Sequence, residues 1–288
     1  MNITQSIGFI GAGKVGCSIG KYLQQHGFPI SGYYSRTKES ALAAAQFTHS
    51  SCYLSLEMLI KASDTLFIAT GDDMISSLWD RIVSIANPQQ LLHSKIFCHF
   101  SGSLSSDVFS PLYGICPASI HPLLAFPDKF HSWEALSDAF FTIEGTETSI
   151  AYFSQMFQKT GNDFSIISAD KKSHYHTAAS LVSNHVVALL DIGLSLLMDC
   201  GFSKDNAYKA CIPLIKKNVE NVLSYDTQSA LTGPIERNDI ETVKKHLESL
   251  DRETAKLYCL LGKRQLELAA KKHPETDFSM IKTMLANV

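Results

Sequence analysis

Gly11, Gly13 and Gly16 stand in the order G-x-G-x-x-G within Ile7-Gly8-Phe9-Ile10-Gly11-Ala12-Gly13-Lys14-Val15-Gly16. An apolar run enters this motif, and a helix-compatible run, Cys17 to His26, leaves it. In that setting Gly11 turns the chain, Gly13 lets the backbone approach a pyrophosphate, and Gly16 lets the helix pack closely on the strand. The helix start, with Ala12, Lys14 and Val15, would present free amide groups and the positive end of its dipole to phosphates. A second strand, Pro29 to Tyr34, ends about twenty residues past the first glycine, where a dinucleotide-binding chain reads its ribose. An Asp or Glu there would hold a free 2′-hydroxyl, but this chain has Ser35, Arg36 and Thr37. Arg36 can meet a 2′-phosphate as a planar fork while the two hydroxyls donate. The expected cofactor is therefore NADP(H), with a solvated surface arginine as the rival reading of Arg36. Thr70, at the end of a later strand, is placed in the same pocket.

A hydride carrier needs a proton donor beside it and groups that hold the substrate. His176, Ser180 and Asn184 recur at i, i+4 and i+8, which stacks them on one side of a helix. His176 is the expected donor, because imidazole titrates near working pH; a structural hydrogen bond at a domain boundary is the alternative. Asn184 would orient a carbonyl or the nicotinamide amide, or else satisfy buried backbone groups. His121, before Pro122 at a strand end, is the second candidate acid, or a turn histidine. Ser101, Gly102 and Ser103 offer hydroxyls and amides to a substrate carboxylate, although either serine also suits a helix cap. Thr232 and Arg237 would close over the substrate, Arg237 pairing with its carboxylate, or else serve as a turn residue and a surface charge. No metal site is expected, since His174 and His176 point to different sides of a helix. No G-x-S-x-G elbow supports a serine hydrolase.

These groups have to be carried by alternating strands and helices. Thr65 to Thr70 is a continuous apolar run, as in a parallel strand covered on both faces. Gly71-Asp72-Asp73 then turns the chain, with an Asp placed to cap a helix from Met74 to Ala86. Further strands are expected at Ile96 to Phe100, Ile115 to Ile120, Ala139 to Ile143 and Asp163 to Ile167, with a helix from Glu147 to Lys159. Residues 1–168 thus read as an α/β domain with a doubly wound, mostly parallel sheet. Residues 169–288 read as all-helical. They open with a long, buried helix from Asp170 through Met198, followed by a helix from Ser203 that Pro213 should kink or break. Helices from Ile240 to Leu250 and from Glu253 to Lys271 complete this part.

With 288 residues, 45% hydrophobic and 18% charged, the chain suffices for two ordinary globular domains. A net charge of −3 argues for neither a nucleic-acid nor a membrane partner. Seven scattered cysteines and a first strand that begins almost at once suggest reduced thiols in a cytoplasmic protein without a signal peptide. The run from Thr177 to Met198 is long enough to span a bilayer, but Asn184, His185 and Asp191 inside it would be penalised there.

The arrangement resembles the 6-phosphogluconate-dehydrogenase-like superfamily, which includes hydroxyacid dehydrogenases, pyrroline-carboxylate reductase, prephenate dehydrogenase and ketopantoate reductase. More narrowly, several phrases are similar to a Rossmann-like oxidoreductase family whose C-terminal domain has long been labelled as unknown in function. They are Tyr34-Ser35-Arg36-Thr37, His99-Phe100-Ser101-Gly102-Ser103, Ser119-Ile120-His121-Pro122-Leu123, Ser183-Asn184-His185 and Ala230-Leu231-Thr232-Gly233-Pro234-Ile235. The resemblance implies an NADP(H)-dependent reductase of a small 2-keto acid, with ketopantoate the best single substrate, an imine or other carbonyl reductase as the alternative, and a non-catalytic NADP sensor as the rival from another class. It also implies a homodimer. The superfamily's hydroxyacid enzymes place Lys four residues before a functional Asn; here Asn184 matches the Asn, whereas Ser180 stands at the Lys position.

Overall fold

The computed structural model describes residues 5–85, 87–109 and 112–286. By its internal contacts the chain divides into two units, Met1–Val186 and Val187–Val288. The first is built as β1 (Ile7–Ile10), α1 (Lys14–Gln25), β2 (Ile30–Tyr34), α2 (Lys38–Phe47), β3 (Ser51–Cys52), α3 (Leu56–Lys61), β4 (Thr65–Ile68), α4 (Asp72–Val83), α5 (Pro88–Leu92), β5 (Ile96–His99), β6 (Cys116–Pro122), β7 (Phe141–Gly145), α6 (Glu147–Thr160), β8 (Phe164–Ile166) and α7 (Lys172–Val182). The strands form one sheet in the order β3-β2-β1-β4-β5-β6-β7-β8. All neighbouring pairs are parallel except β6 and β7. Between those two no crossover helix intervenes, only a loop with a short 3-10 turn at Ser132–Asp138, so the chain returns antiparallel.

Side-chain alternation gives the sheet a core on each face. Phe9 and Phe67 pack with Phe141 and Phe153 on one side, and Ile10, Leu66 and Ile68 with Trp79 and Phe97 on the other. Every residue of β1, β4 and β5 is buried, as in strands covered on both faces, which is why β4 reads as a continuous apolar run. The doubly wound, mostly parallel sheet expected from the sequence is the observed one.

Helices α8 (Asn184–Asp199), α9 (Lys204–Ser224), α10 (Thr227–Ala230), α11 (Ile240–Ser249), α12 (Arg252–Lys272) and α13 (Ser279–Ala286) follow. Two expectations about the long helix are corrected here. The long helix is interrupted at Ser183, whose φ of −121° and ψ of −78° separate α7 from α8. Of the two outcomes expected at Pro213, a kink or a break, the break does not occur: α9 continues through it. The apolar helix is also not buried within one chain: Leu194 is the one buried residue of α8, while Val182 and Val187 are 77% and 69% exposed. The reason is that the second unit gathers its core elsewhere, from Ile235, Val243, Cys259, Leu266, Phe278, Ile281 and Leu285. Residues 169–186, expected with the helical part, cluster with the sheet unit.

Candidate active site

The turn after β1 is shaped by a backbone that only glycine fits. Gly11 has φ of +112°, and a Cβ there would lie 2.5 Å from the Ala69 carbonyl oxygen. Hydrogen bonds from Gly11 N to Tyr34 O and from Ala69 N to Ile10 O, both 2.8 Å, lock the ends of β1, β2 and β4 together. Around this junction lies a cavity of about 610 Å³. Its walls include Gly11, Ala12 and Gly13 from the turn, Ser35, Arg36 and Thr37 after β2, and Thr70 and Gly71 after β4. Helix α1 starts at Lys14 with Gly13 as its N-cap, and no side chain caps it, which leaves its first amide groups to whatever enters the cavity. Thr70 Oγ1 is buried with no hydrogen-bond partner. An orphaned hydroxyl at a strand end, a helix N-terminus and an arginine at the ribose-reading position together fit a phosphorylated dinucleotide. Val15 and Gly16 lie in the first turn of α1, Gly16 buried against the strands.

A second group of side chains sits at the carboxyl ends of β5 and β6. The two sites adjoin, because Gly71 lines the cavity and the next residue, Asp72, accepts hydrogen bonds from Ser101 Oγ (2.5 Å) and Ser103 Oγ (3.1 Å). Asp72 was expected near a helix cap, but α4 begins at Asp72 itself with Gly71 as N-cap. Ser101 Oγ also accepts from Ser103 N at 3.2 Å and Leu104 N at 2.9 Å. Its lone pairs and proton are thus engaged in holding the loop, as the capping alternative for these serines allows. His99 is fully buried between Ser101 N, which donates to Nδ1, and the Ser105 carbonyl near Nε2, at 3.2 and 3.1 Å. Burial pushes its pKa down to about 4. Glu144, across from Ser119 in the β6–β7 register, accepts from Ser106 N (2.6 Å) and Ser106 Oγ (2.7 Å) and pins the far end of the same loop.

Lys172, in the first turn of α7, is the residue that sequence reasoning missed. It is 1% exposed, and its ammonium donates to Ser101 O at 2.7 Å and Ser119 Oγ at 2.6 Å. Burial pushes its pKa down to about 8, while the negative charge of Glu144 acts in the opposite sense. A usable signal was present in the sequence. The Lys-x-x-x spacing sought before Asn184 occurs two turns earlier, as Lys172-Ser173-His174-Tyr175-His176.

Helix α7 then presents Tyr175 and His176 on the face that carries Lys172. The Tyr175 hydroxyl is 2.8 Å from His121 Nδ1, and the His121 and His176 rings meet edge-on with centroids 5.6 Å apart. Gly102 lies under both rings: a Cβ there would be 2.3 Å from His176 Nδ1 and 3.0 Å from His121 Nε2. Burial, with the positive charges of Lys172 and His176 adding to it, pushes the His121 pKa down to about 4. His121 is accordingly a neutral imidazole near neutral pH, able to donate or accept a hydrogen bond but not to arrive as an imidazolium. His176 is solvent-exposed.

The structure therefore brings together Ser101, Gly102, Ser103, His121 and His176, and it adds Lys172, Tyr175 and Asp72. Asn184 is not stacked over His176 by a continuous helix, because the break at Ser183 intervenes. Its Oδ1 accepts from Ser183 Oγ at 2.9 Å, on the exterior. Thr232 and Arg237 belong to the second unit and are exposed there, with Arg237 N donating to Gly233 O at 3.0 Å in a turn.

Comparison with known proteins agrees with this architecture. Residues 2–122 match the family model of a Rossmann-like domain, and residues 139–265 match a domain of unknown function, DUF2520. The two matches follow one another along the chain, the Rossmann-like model first and DUF2520 after it. No curated protein matches it in sequence. Among solved structures it is similar to a protein from Thermotoga maritima, with 24% identity over 93% of this chain and 99% of that one and a TM-score of 0.73. A provisionally assigned NADP oxidoreductase from Bacteroides fragilis shares 22% identity over 92% and 99% of the two chains, with a TM-score of 0.69. Pyrroline carboxylate reductase from Plasmodium falciparum, solved with NADP bound, shares 16% identity over 94% and 98%, with a TM-score of 0.60. At these identities the likeness shows a common fold.

Proposed function

We propose that this protein is an NADP(H)-dependent oxidoreductase that reduces the carbonyl of a small 2-keto acid, with ketopantoate the first substrate to test. The observation that carries the reading is the adjacency, through Gly71 and Asp72, of the cavity at the β1 turn and a buried, protonated lysine. Gly11 to Gly16 and the first turn of α1 would take the pyrophosphate, Thr70 would hydrogen-bond the cofactor, and Ser35, Arg36 and Thr37 would take the 2′-phosphate. Bound there, the reduced nicotinamide would supply a hydride to the carbonyl carbon.

The chain's own residues handle the proton. Lys172 stays mostly protonated at neutral pH and is anchored by two acceptors, so it can hold positive charge against a developing alkoxide or pass a proton toward it. His176 sits exposed beside Gly102, and His121, kept neutral, can hydrogen-bond the substrate next to it. Gly102 leaves room for both rings. Asn184 is a further candidate for a contact to the substrate.

Helices α7 and α8 support a further part of the reading. The segment Ala169–Asp199 is long and apolar enough to cross a membrane: its most apolar 18-residue stretch has mean hydropathy 1.7, and only 6% of that stretch is buried. Asn184, His185 and Asp191 within it make a bilayer a poor match. We take the covering surface to be a second copy of the chain, giving a cytoplasmic homodimer with neither a nucleic-acid nor a membrane partner.

The direct experiment mixes purified protein and NADPH with a panel of 2-keto acids and cyclic imines and follows NADPH oxidation. Turnover of ketopantoate or a near analogue supports the proposal. Turnover of cyclic imines alone would favour the chemistry of the pyrroline carboxylate reductase that shares this fold. Tight NADPH binding with no turnover of any substrate would favour a sensor.

A further inference from the structure

The cavity at the β1 turn has a second arginine that the ribose-reading position does not account for. Helix α4 lines it with Met74, Ser77, Leu78 and Arg81, at i, i+3, i+4 and i+7, so one face of the helix forms part of the wall that Arg36 also borders. Both guanidiniums border the same space, one from the loop after β2 and one from the last turn of α4. Neither makes an ion pair or a side-chain hydrogen bond among the described residues. No Asp or Glu is among the residues that line the cavity. Two cations facing one space with no carboxylate between them raise each other's energy, and an anion placed there relieves it. Met74 and Leu78 supply an apolar bed on the same wall, suited to a flat base.

We propose that Arg81 is a specificity-determining residue of the cofactor site and that it takes the 2′-phosphate of the adenosine jointly with Arg36. The proposal rests on the cofactor reading given above and narrows it. A dianionic phosphate has oxygens for two planar forks, whereas a free 2′-hydroxyl gives a second guanidinium nothing to pair with. Arg81 therefore raises affinity for NADP(H) and leaves NAD(H) almost unaffected. The competing account is that Arg81 serves only the negative end of the α4 dipole, as a basic residue in a last turn does.

Calorimetric titration of the full chain distinguishes these accounts. The ligands are 2′,5′-ADP, ADP, NADPH and NADH, titrated into wild type, Arg81→Ala, Arg81→Lys and Arg36→Ala. Arg81 is exposed, so neither of its variants threatens the fold. Arg81→Ala should weaken 2′,5′-ADP and NADPH by about tenfold or more and change ADP and NADH by less than about twofold, with Arg81→Lys in between. Equal losses for ADP and 2′,5′-ADP would reassign Arg81 to the base and overturn the proposal. Unchanged binding of all four ligands would reduce it to a helix-terminal charge. Wild type that does not prefer 2′,5′-ADP over ADP would sink the cofactor reading itself, whereas a preference undiminished by Arg81→Ala would sink only the role of Arg81.

Discussion

The Lys172 ammonium lies 2.6 Å from the Ser119 hydroxyl, so a charge on the first turn of α7 is held against the middle of β6. Ser119 pairs with His99 on one side and Glu144 on the other, and this row forms one polar face across three neighbouring strands. A buried lysine that kept its proton without such acceptors would be expensive; here two oxygens and a nearby carboxylate make it tolerable.

Replacing Lys172 should separate chemistry from cofactor binding. Lys172→Met keeps the volume and removes the charge, and kcat for reduction is expected to fall by roughly 10²-fold or more. The NADPH dissociation constant should move less than about twofold, since Lys172 does not line the dinucleotide cavity. A kcat unchanged within a factor of two would remove Lys172 from the mechanism.

The pH profile follows from the same residue. The protonated form is the competent one, so kcat/KM for reduction should decline as pH rises through about 8. Glu144→Gln removes a charge that favours protonated Lys172, and the decline should move to lower pH. A profile flat to pH 10 in wild type would refute this assignment.

Two titrations shape stability. His121 has a folded pKa of about 4 against a reference of 6.5, so below pH 6.5 the unfolded chain binds more protons and stability falls as pH drops toward 4. Lys172, at about 8 folded against 10.5, works the same way at the alkaline end, and its contribution rises with pH between those values. Denaturant midpoints measured for wild type and His121→Gln across the acid range should converge as pH falls; parallel curves would count against it.

Gly102→Ala should damage the site and spare the fold. The added methyl would collide with His176 Nδ1 at 2.3 Å, and the exposed His176 ring can swing outward. The expected result is a tenfold or greater loss of kcat with little change in melting temperature. Gly11→Ala is the contrasting case, because its methyl would meet the Ala69 backbone at φ of +112°. There we expect a stability loss of about 1–3 kcal/mol together with weakened NADPH binding.

The exposed face of α8 provides the test of assembly. Val187 is 69% exposed in one chain. If a second copy covers it, Val187→Glu should shift the protein from dimer to monomer in light scattering after size exclusion. Monomeric wild type would refute the dimer.

Much of this molecule was legible locally. The glycine spacing, the strand before it and the Ser35-Arg36-Thr37 segment after β2 are near neighbours in sequence, and the cavity assembles them as their order implies. Strand β4 was equally legible, because burial on both faces favours a continuous apolar run. Lys172 was not, since its four-residue spacing to His176 says nothing of burial, and Lys171 beside it remains on the surface with Asp170. Its burial depends on Ser101 and Ser119, 71 and 53 residues away, and on a sheet that sets those strand ends side by side. The sequence determined which residues could bind a dinucleotide or move a proton. Tertiary structure alone decided which of them meet, because distances between elements far apart in the chain are set by packing and not by spacing.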